Sequence, residues 1–344
     1  MITPPAELLP LLGRAADEAR VSTLLETGQT MPAALLLLGD PGAGKTALLD
    51  RARERAERDG YRVLSSSGGL EALLRPLLSE VSCLPAELAA ALEPSGSAAA
   101  GLLRTAVLLL LGAAADRQPV LLLVDDLHDA DPVTLDVLAF VIRGLHDERI
   151  AILLAARGSA LPPIDAEAGV WRLGPLAAPS AAQLLDAQPD PPSGWARAEI
   201  LRRAAGNPLV IIELARAGVS SSPLPLQDEA AAAEQERAAT EAHRQARFFD
   251  AAKGWQRAAE LSPVTGAAAR RYTEAVLAAY RAGEATWVVE LYDEVASRTE
   301  DADLLAAAAC AAGLALGQSG EPSRAFDLAA AAVRRRPRDG QLTV

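Results

Sequence analysis

The residues best suited to chemistry lie in two short strings. Gly39-Asp40-Pro41-Gly42-Ala43-Gly44-Lys45-Thr46 places glycines, a lysine and a hydroxyl at the spacing G-x-x-x-x-G-K-[ST], directly after an apolar run over 33–38. A glycine-rich turn between a strand and a helix lets backbone N–H groups wrap phosphate oxygens at the positive helix end. On this reading the backbone of Gly39 to Ala47 forms the cradle, Lys45 reaches the β and γ phosphates, and the Thr46 hydroxyl binds Mg²⁺. Lys45 and Lys253 are the only lysines, all other basic residues being arginine. A lysine at position 45 of so arginine-biased a chain argues for a compact ammonium there.

The second string is Val120-Leu121-Leu122-Leu123-Val124-Asp125-Asp126. A continuous apolar run reads as a strand buried on both faces of a parallel sheet, and ligands of such sheets bind at the C-terminal strand tips. Asp125 is expected to hold Mg²⁺, directly or through water, and Asp126 to orient or deprotonate an attacking water. A third apolar run over 150–156 ends at Arg157, which either senses the γ-phosphate or starts a surface loop. Upstream, Leu11-Leu12-Gly13-Arg14 precedes a helical pattern through Val21, Leu24 and Leu25. Arg14 either touches nucleotide or caps a carboxylate inside the fold. His128 reads as a packing or capping residue, and Asp131-Pro132 as the N-cap and first residue of a helix over 133–145.

Bringing these tips together requires a parallel sheet with helical crossovers. Strands are expected over 33–38, 61–66, 120–124, 150–156 and 171–176. Helices are expected over 46–58, 98–115, 179–187, 195–205 and 209–217, with two short ones parted by Pro85. The chain has 344 residues, half of them apolar and few aromatic, which suits helices packed through small side chains. Its net charge of −12, acidic in both halves, excludes a basic nucleic-acid-binding module. Arg334-Arg335-Arg336 reads as the end of a helix offsetting its own dipole. Cys83 and Cys310, far apart in helical patterns, read as small buried hydrophobes in a reducing compartment. No signal peptide and no membrane span is expected, and the location expected is cytoplasmic.

From Asp228 onward the sequence is helical throughout and repeats itself. The segments that begin at Ala251, Val288 and Ala325 align at a constant offset of 37, with Gly283 and Gly320 at matching turns. This half carries no catalytic constellation, and its expected work is packing, within the chain or against a partner.

Taken in order, Leu-Leu-Gly-Arg at 11–14, the phosphate loop, Leu-Leu-Val-Asp-Asp-Leu-His-x-Ala-Asp at 122–131, Ala-Ala-Arg at 155–157 and Ala-Gly-Asn-Pro-Leu at 205–209 resemble one family. It is the ATPase region of the large LuxR-family (MalT-like) transcriptional regulators of actinobacteria, a STAND/AAA-type module. The resemblance implies an α/β P-loop NTPase domain with a parallel sheet, over 1–218, with a small helical lid at about 177–217. A linker at 219–229 and an all-α domain of tetratricopeptide-like repeats over 230–344 would follow. It also implies ATP or ADP with Mg²⁺ as cofactors, and Gly206-Asn207-Pro208 bordering the adenine, with Pro208 against the base. Two departures stand out. Asp129 replaces the family's aromatic, and the linker leaves no room for the family's winged helix. No helix-turn-helix follows, so no DNA-binding domain is expected in this chain. The function expected is an ATP-binding switch with slow Mg²⁺-dependent hydrolysis, acting on a protein partner or a second copy through the repeats. The alternatives are a nucleotide-binding scaffold without turnover and a part of a longer transcriptional regulator.

Overall fold

A computed structural model describes residues 11–67, 69–92, 100–158, 164, 168–217 and 227–334. The strands are β1 (Ala33–Gly39), β2 (Arg62–Ser66), β3 (Val120–Val124), β4 (Ile150–Arg157) and β5 (Gly169–Leu173). They form one parallel sheet in the order β2-β3-β4-β1-β5. Around it lie α1 (Ala15–Gly28), α2 (Lys45–Arg58), α3 (Leu70–Leu74), α4 (Ala86–Ala91), α5 (Ala100–Arg117) and α6 (Pro132–Gly144), with a 3-10 segment over Arg75–Cys83. The fold expected of a P-loop NTPase is therefore present.

The apolar runs build this sheet because successive side chains point to opposite faces. Leu36, Leu38, Leu122, Val124, Ile152 and Leu154 pack on one side with Val107, Leu110 and Leu111 of α5 and Val137, Leu138 and Val141 of α6. Leu37, Leu121, Leu123, Leu153 and Trp171 pack on the other with Leu24 and Leu25 of α1 and Leu48 and Leu49 of α2. Each buried leucine contributes roughly 1.5–3 kcal/mol, so the two faces hold the strands in one register. That register sets Gly39 beside Arg157 of β4 and Leu173 of β5.

The remaining helices are α7 (Ala178–Asp186), α8 (Gly194–Ala204), α9 (Pro208–Ala217), α10 (Glu229–Arg244), α11 (Phe248–Leu261), α12 (Thr265–Arg281), α13 (Ala285–Arg298), α14 (Ala302–Gln318) and α15 (Pro322–Arg334). The chain divides into two compact units. One contains the sheet and the described residues to Leu184 together with Ala204–Ile212; the other contains Leu185–Arg203 and the described residues from Glu213. The segment expected as a lid, about 177–217, is thus shared between them. Most of the expected linker at 219–229 lies outside the described residues, as do Arg335 and Arg336.

In the second unit α10 to α15 are three helix pairs whose second members start at 248, 285 and 322, the offset of 37 seen in the sequence. Within the pairs the turns carry positive φ at Ala246 (57°), Gly283 (82°) and Gly320 (84°). Trp255, Tyr272, Trp287 and Leu291 pack there among buried alanines.

Two expectations are corrected. The last strand ends at Leu173 rather than 176, because Gly174-Pro175 follows and proline has no N–H for the ladder. Cys83 is exposed and Cys310 only partly buried. Cys83 is the last residue of the 3-10 segment, where the chain turns off the core before Pro85.

Candidate functional site

The phosphate loop runs from the tip of β1 into α2, and two of its glycines take conformations that L side chains rarely adopt: Gly42 at φ 78° and Gly44, the N-cap of α2, at φ 99°. A Cβ on Gly42 would also stand 2.6 Å from Leu209 Cβ and 2.7 Å from Asn207 Oδ1. Lys45 opens the helix and is 8% exposed. Its Nζ donates to the carbonyls of Gly39 at 2.9 Å and Asp40 at 3.0 Å. Burial lowers its pKa from the ordinary lysine value, against the opposing pull of Asp125.

The outward carbonyls of the loop are pinned from two sides. Arg14 Nη2 donates to Ala43 O and to Gly174 O, both at 2.8 Å. Asn207 Nδ2 donates to Pro41 O at 2.9 Å, and Leu209 N–H to Gly42 O at 3.3 Å. With these carbonyls engaged, the loop meets an anion with N–H groups of the first turn of α2, which have no partners within the helix.

At the tip of β3, one strand beyond β4, Thr46 Oγ1 donates to Asp125 Oδ2 at 2.7 Å, and Asp125 Oδ1 accepts from Asp126 N–H at 2.8 Å. Asp125 N–H bonds Ser66 O at 2.9 Å, continuing the β2–β3 ladder past the strand and fixing the carboxylate at the sheet edge. Asp126 has φ 48°, a left-handed turn that asparagine and aspartate tolerate best. Its Oδ1 lies 3.4 Å from Arg157 Nη2. His128 Nε2 is 3.6 Å from Asp129 and 3.9 Å from Asp126. A cleft of about 320 Å³ adjoins Thr46 and Asp125, walled by Asp50, Arg53 and Ser65 to Ser67.

The residues present fit a magnesium-bound nucleotide. Hydroxyl and carboxylate stand together where a phosphate-bound cation would lie, and a Cβ on Gly44 would meet nothing within 4 Å, leaving the loop open there. Among the described residues no group of three or more His, Cys, Asp or Glu could hold a metal by itself. Mg²⁺ binds through one or two protein oxygens plus phosphate and water, and Thr46 and Asp125 offer such oxygens.

Of the residues singled out in the sequence, Gly39 to Thr46, Asp125, Asp126 and Arg157 converge at adjacent strand tips. Arg14 is buried, at 8% exposed, and its guanidinium is committed to two carbonyls and to Asp17 at 3.3 Å. Pro208 is the first residue of α9, next to the loop's outer side. Asn207, expected only to border the adenine, has a second task that the sequence did not show. Its Oδ1 caps α9 through Leu209 N–H at 3.1 Å and Val210 N–H at 3.4 Å while its Nδ2 holds Pro41. Asn before Pro is a local cap signal; the grip on the loop has none. Gly206, at φ 79°, makes the turn possible, since a Cβ there would stand 2.5 Å from Leu176 O.

Residues 10–154 match the family model of the AAA ATPase domain. No curated protein matches the chain. Among solved structures, the chain resembles a STAND protein with a tetratricopeptide repeat sensor from Pyrococcus horikoshii at 11% identity and a TM-score of 0.42, over 96% of this chain and 59% of that one. It resembles AMPPCP-bound DnaA from Aquifex aeolicus at 13% identity and a TM-score of 0.39, over 96% of each. It resembles the ORC2 protein of Aeropyrum pernix at 16% identity and a TM-score of 0.33, over 53% of this chain and 52% of that one. The chain therefore spans little more than half of the Pyrococcus and Aeropyrum proteins. At such identities the likeness places no residue of this chain in a role. No helix among the described residues is long and apolar enough to cross a membrane.

Proposed function

We propose that the chain is a STAND-type switch that binds ATP or ADP with Mg²⁺, hydrolyses ATP slowly, and passes its state through the helical unit to a protein partner or a second copy. The observation that carries this reading is the bond between Thr46 and Asp125, which joins the phosphate loop to the acidic tip of β3. When bound, Mg²⁺ supplies charge neutralisation at the phosphates. The loop and Lys45 hold the triphosphate, Thr46 and Asp125 fix the metal side, Asp126 orients the attacking water, and Arg157 meets the charge that develops. Such chemistry suits the resetting of a bound state. The ordered motifs support grouping the chain with the LuxR-family regulators, and the 37-residue helix pairs support reading the second unit as tetratricopeptide-like. The acidic composition and the absence of a candidate span in the described helices fit a cytoplasmic place of work.

A Lys45→Ala variant is expected to bind ATP at least about tenfold more weakly, the factor that a lost charged hydrogen bond supplies. Wild-type affinity in calorimetry would refute the nucleotide assignment. The second reading, binding without turnover, draws on the ion pair between Arg157 and Asp126, which engages the carboxylate that would otherwise orient the water. Phosphate release slowed about a hundredfold by Asp126→Asn supports the switch; tight ADP binding with no release supports the scaffold.

A further inference from the structure

The second unit contains a pocket of about 420 Å³ lined by α8, α10, α11 and Arg247 of the turn before α11. Its floor is hollow because its residues are small. Ala238, Ala239 and Ala242 share one face of α10, and on α11 a Cβ added to Gly254 would stand 2.9 Å from Ala239 Cβ. The two helices touch at their backbones there, and no side chain fills the space above.

The polar groups around this floor are unevenly matched. On the rim Arg247 pairs with Asp250 at 3.4 Å and Arg257 with Glu260 at 3.1 Å, so each rim carboxylate already has its own guanidinium. Lys253 has no carboxylate partner among the described residues. Its Nζ lies 4.0 Å from the ring centroid of Trp195 on α8, which forms the pocket wall. The aromatic face holds the ammonium in place without neutralising it. Lys253 is also the one lysine besides that of the phosphate loop in a chain whose other cations are all arginine. An ammonium has three donors around a point charge, so it can lie on a ring and still offer N–H groups to an anion.

We propose that this pocket binds a small organic carboxylate, whose charged group pairs with Lys253 and whose apolar body lies on the alanine and glycine floor beside Trp195. Gln235, also on the lining, supplies a neutral amide for a second hydrogen bond. The volume falls within the range of small-molecule sites. The proposal does not rest on nucleotide binding, because every residue it uses belongs to the second unit.

The test uses the full chain, titrated calorimetrically and by tryptophan fluorescence with benzoate, octanoate and their neutral amides. At least one acid is expected to bind saturably, its amide at least about tenfold more weakly, and Lys253→Met, which keeps the apolar stem, to lose that preference. Trp195→Phe is expected to remove the fluorescence response and to keep calorimetric binding. Equal binding of acid and amide, or a preference unchanged in Lys253→Met, would overturn the proposal and leave Lys253 as a staple between α8 and α11. So would the lack of saturable binding by any of the four probes up to about 10 mM, beyond which an affinity is under about 3 kcal/mol.

Discussion

Asn207 performs two separable tasks, and replacing it divides them. Oδ1 caps α9 at Leu209 and Val210, while Nδ2 holds the Pro41 carbonyl of the phosphate loop at 2.9 Å. Asn207→Ala removes both, about 1 kcal/mol for the cap and about 1 kcal/mol for the hydrogen bond, hence about 2 kcal/mol of stability. Asn207→Asp keeps an acceptor of equal capping strength, but it loses the donor and sets a carboxylate oxygen against the Pro41 carbonyl. Freed from Asn207, that carbonyl can turn toward the phosphates, where it repels. ATP affinity should fall about fivefold in Asn207→Ala, the effect of about 1 kcal/mol spent on re-forming the loop. It should fall further in Asn207→Asp, which adds negative charge beside a triphosphate. Stability should follow the other order, with Asn207→Asp between wild type and Asn207→Ala. Calorimetric titration with Mg²⁺-ATP and urea unfolding of each variant measure both orders. Asn207→Ala binding ATP within about twofold of wild type, at wild-type stability, would refute the clip; wild-type affinity in Asn207→Asp would show that the donor is dispensable.

The same turn should be intolerant of a Cβ at Gly206. With φ at 79° and Leu176 O 2.5 Å from the added atom, Gly206→Ala is expected to cost roughly 1–3 kcal/mol and to weaken ATP binding with it; an unchanged urea midpoint would contradict this. In the second unit, burial raises the pKa of Glu290 above its ordinary value of 4.5, against the pull of the Gly194 N–H and Arg197. A carboxyl raised on folding contributes stability that is complete below the unfolded pKa and lost as pH rises through the folded one. Glu290→Gln still accepts from Gly194, so it should be more stable than wild type at pH 8 and gain least near pH 4. A gain that does not grow with pH in paired denaturation curves would reject the burial argument.

How much of this was legible in the sequence depends on the distance between the residues involved. The phosphate loop, the acidic tip at Asp125 and Asp126, the Asp131 cap and the 37-residue helix pairs are all written in short windows. Glycine placement, apolar runs and caps act there through neighbouring backbone. The supports of the loop are of another kind. Arg14 reaches Gly174 across 160 residues, and Asn207 reaches Pro41 across 166. No local pattern encodes either bond. Both follow from the sheet order, because β5 lies beside β1 and sets Leu173 next to Gly39, with Gly174 just beyond, after which the pairing of Leu176 with Gly206 returns the chain to the loop. β5 is also the least legible strand, with only Trp171 and Leu173 buried and Gly174-Pro175 cutting it short. A sequence in which this edge strand paired elsewhere could keep every motif of the phosphate loop and lose the grip of Arg14 and Asn207 on its carbonyls. The motifs specify which groups can meet a phosphate, and the position of β5 determines whether the loop is held ready to do so.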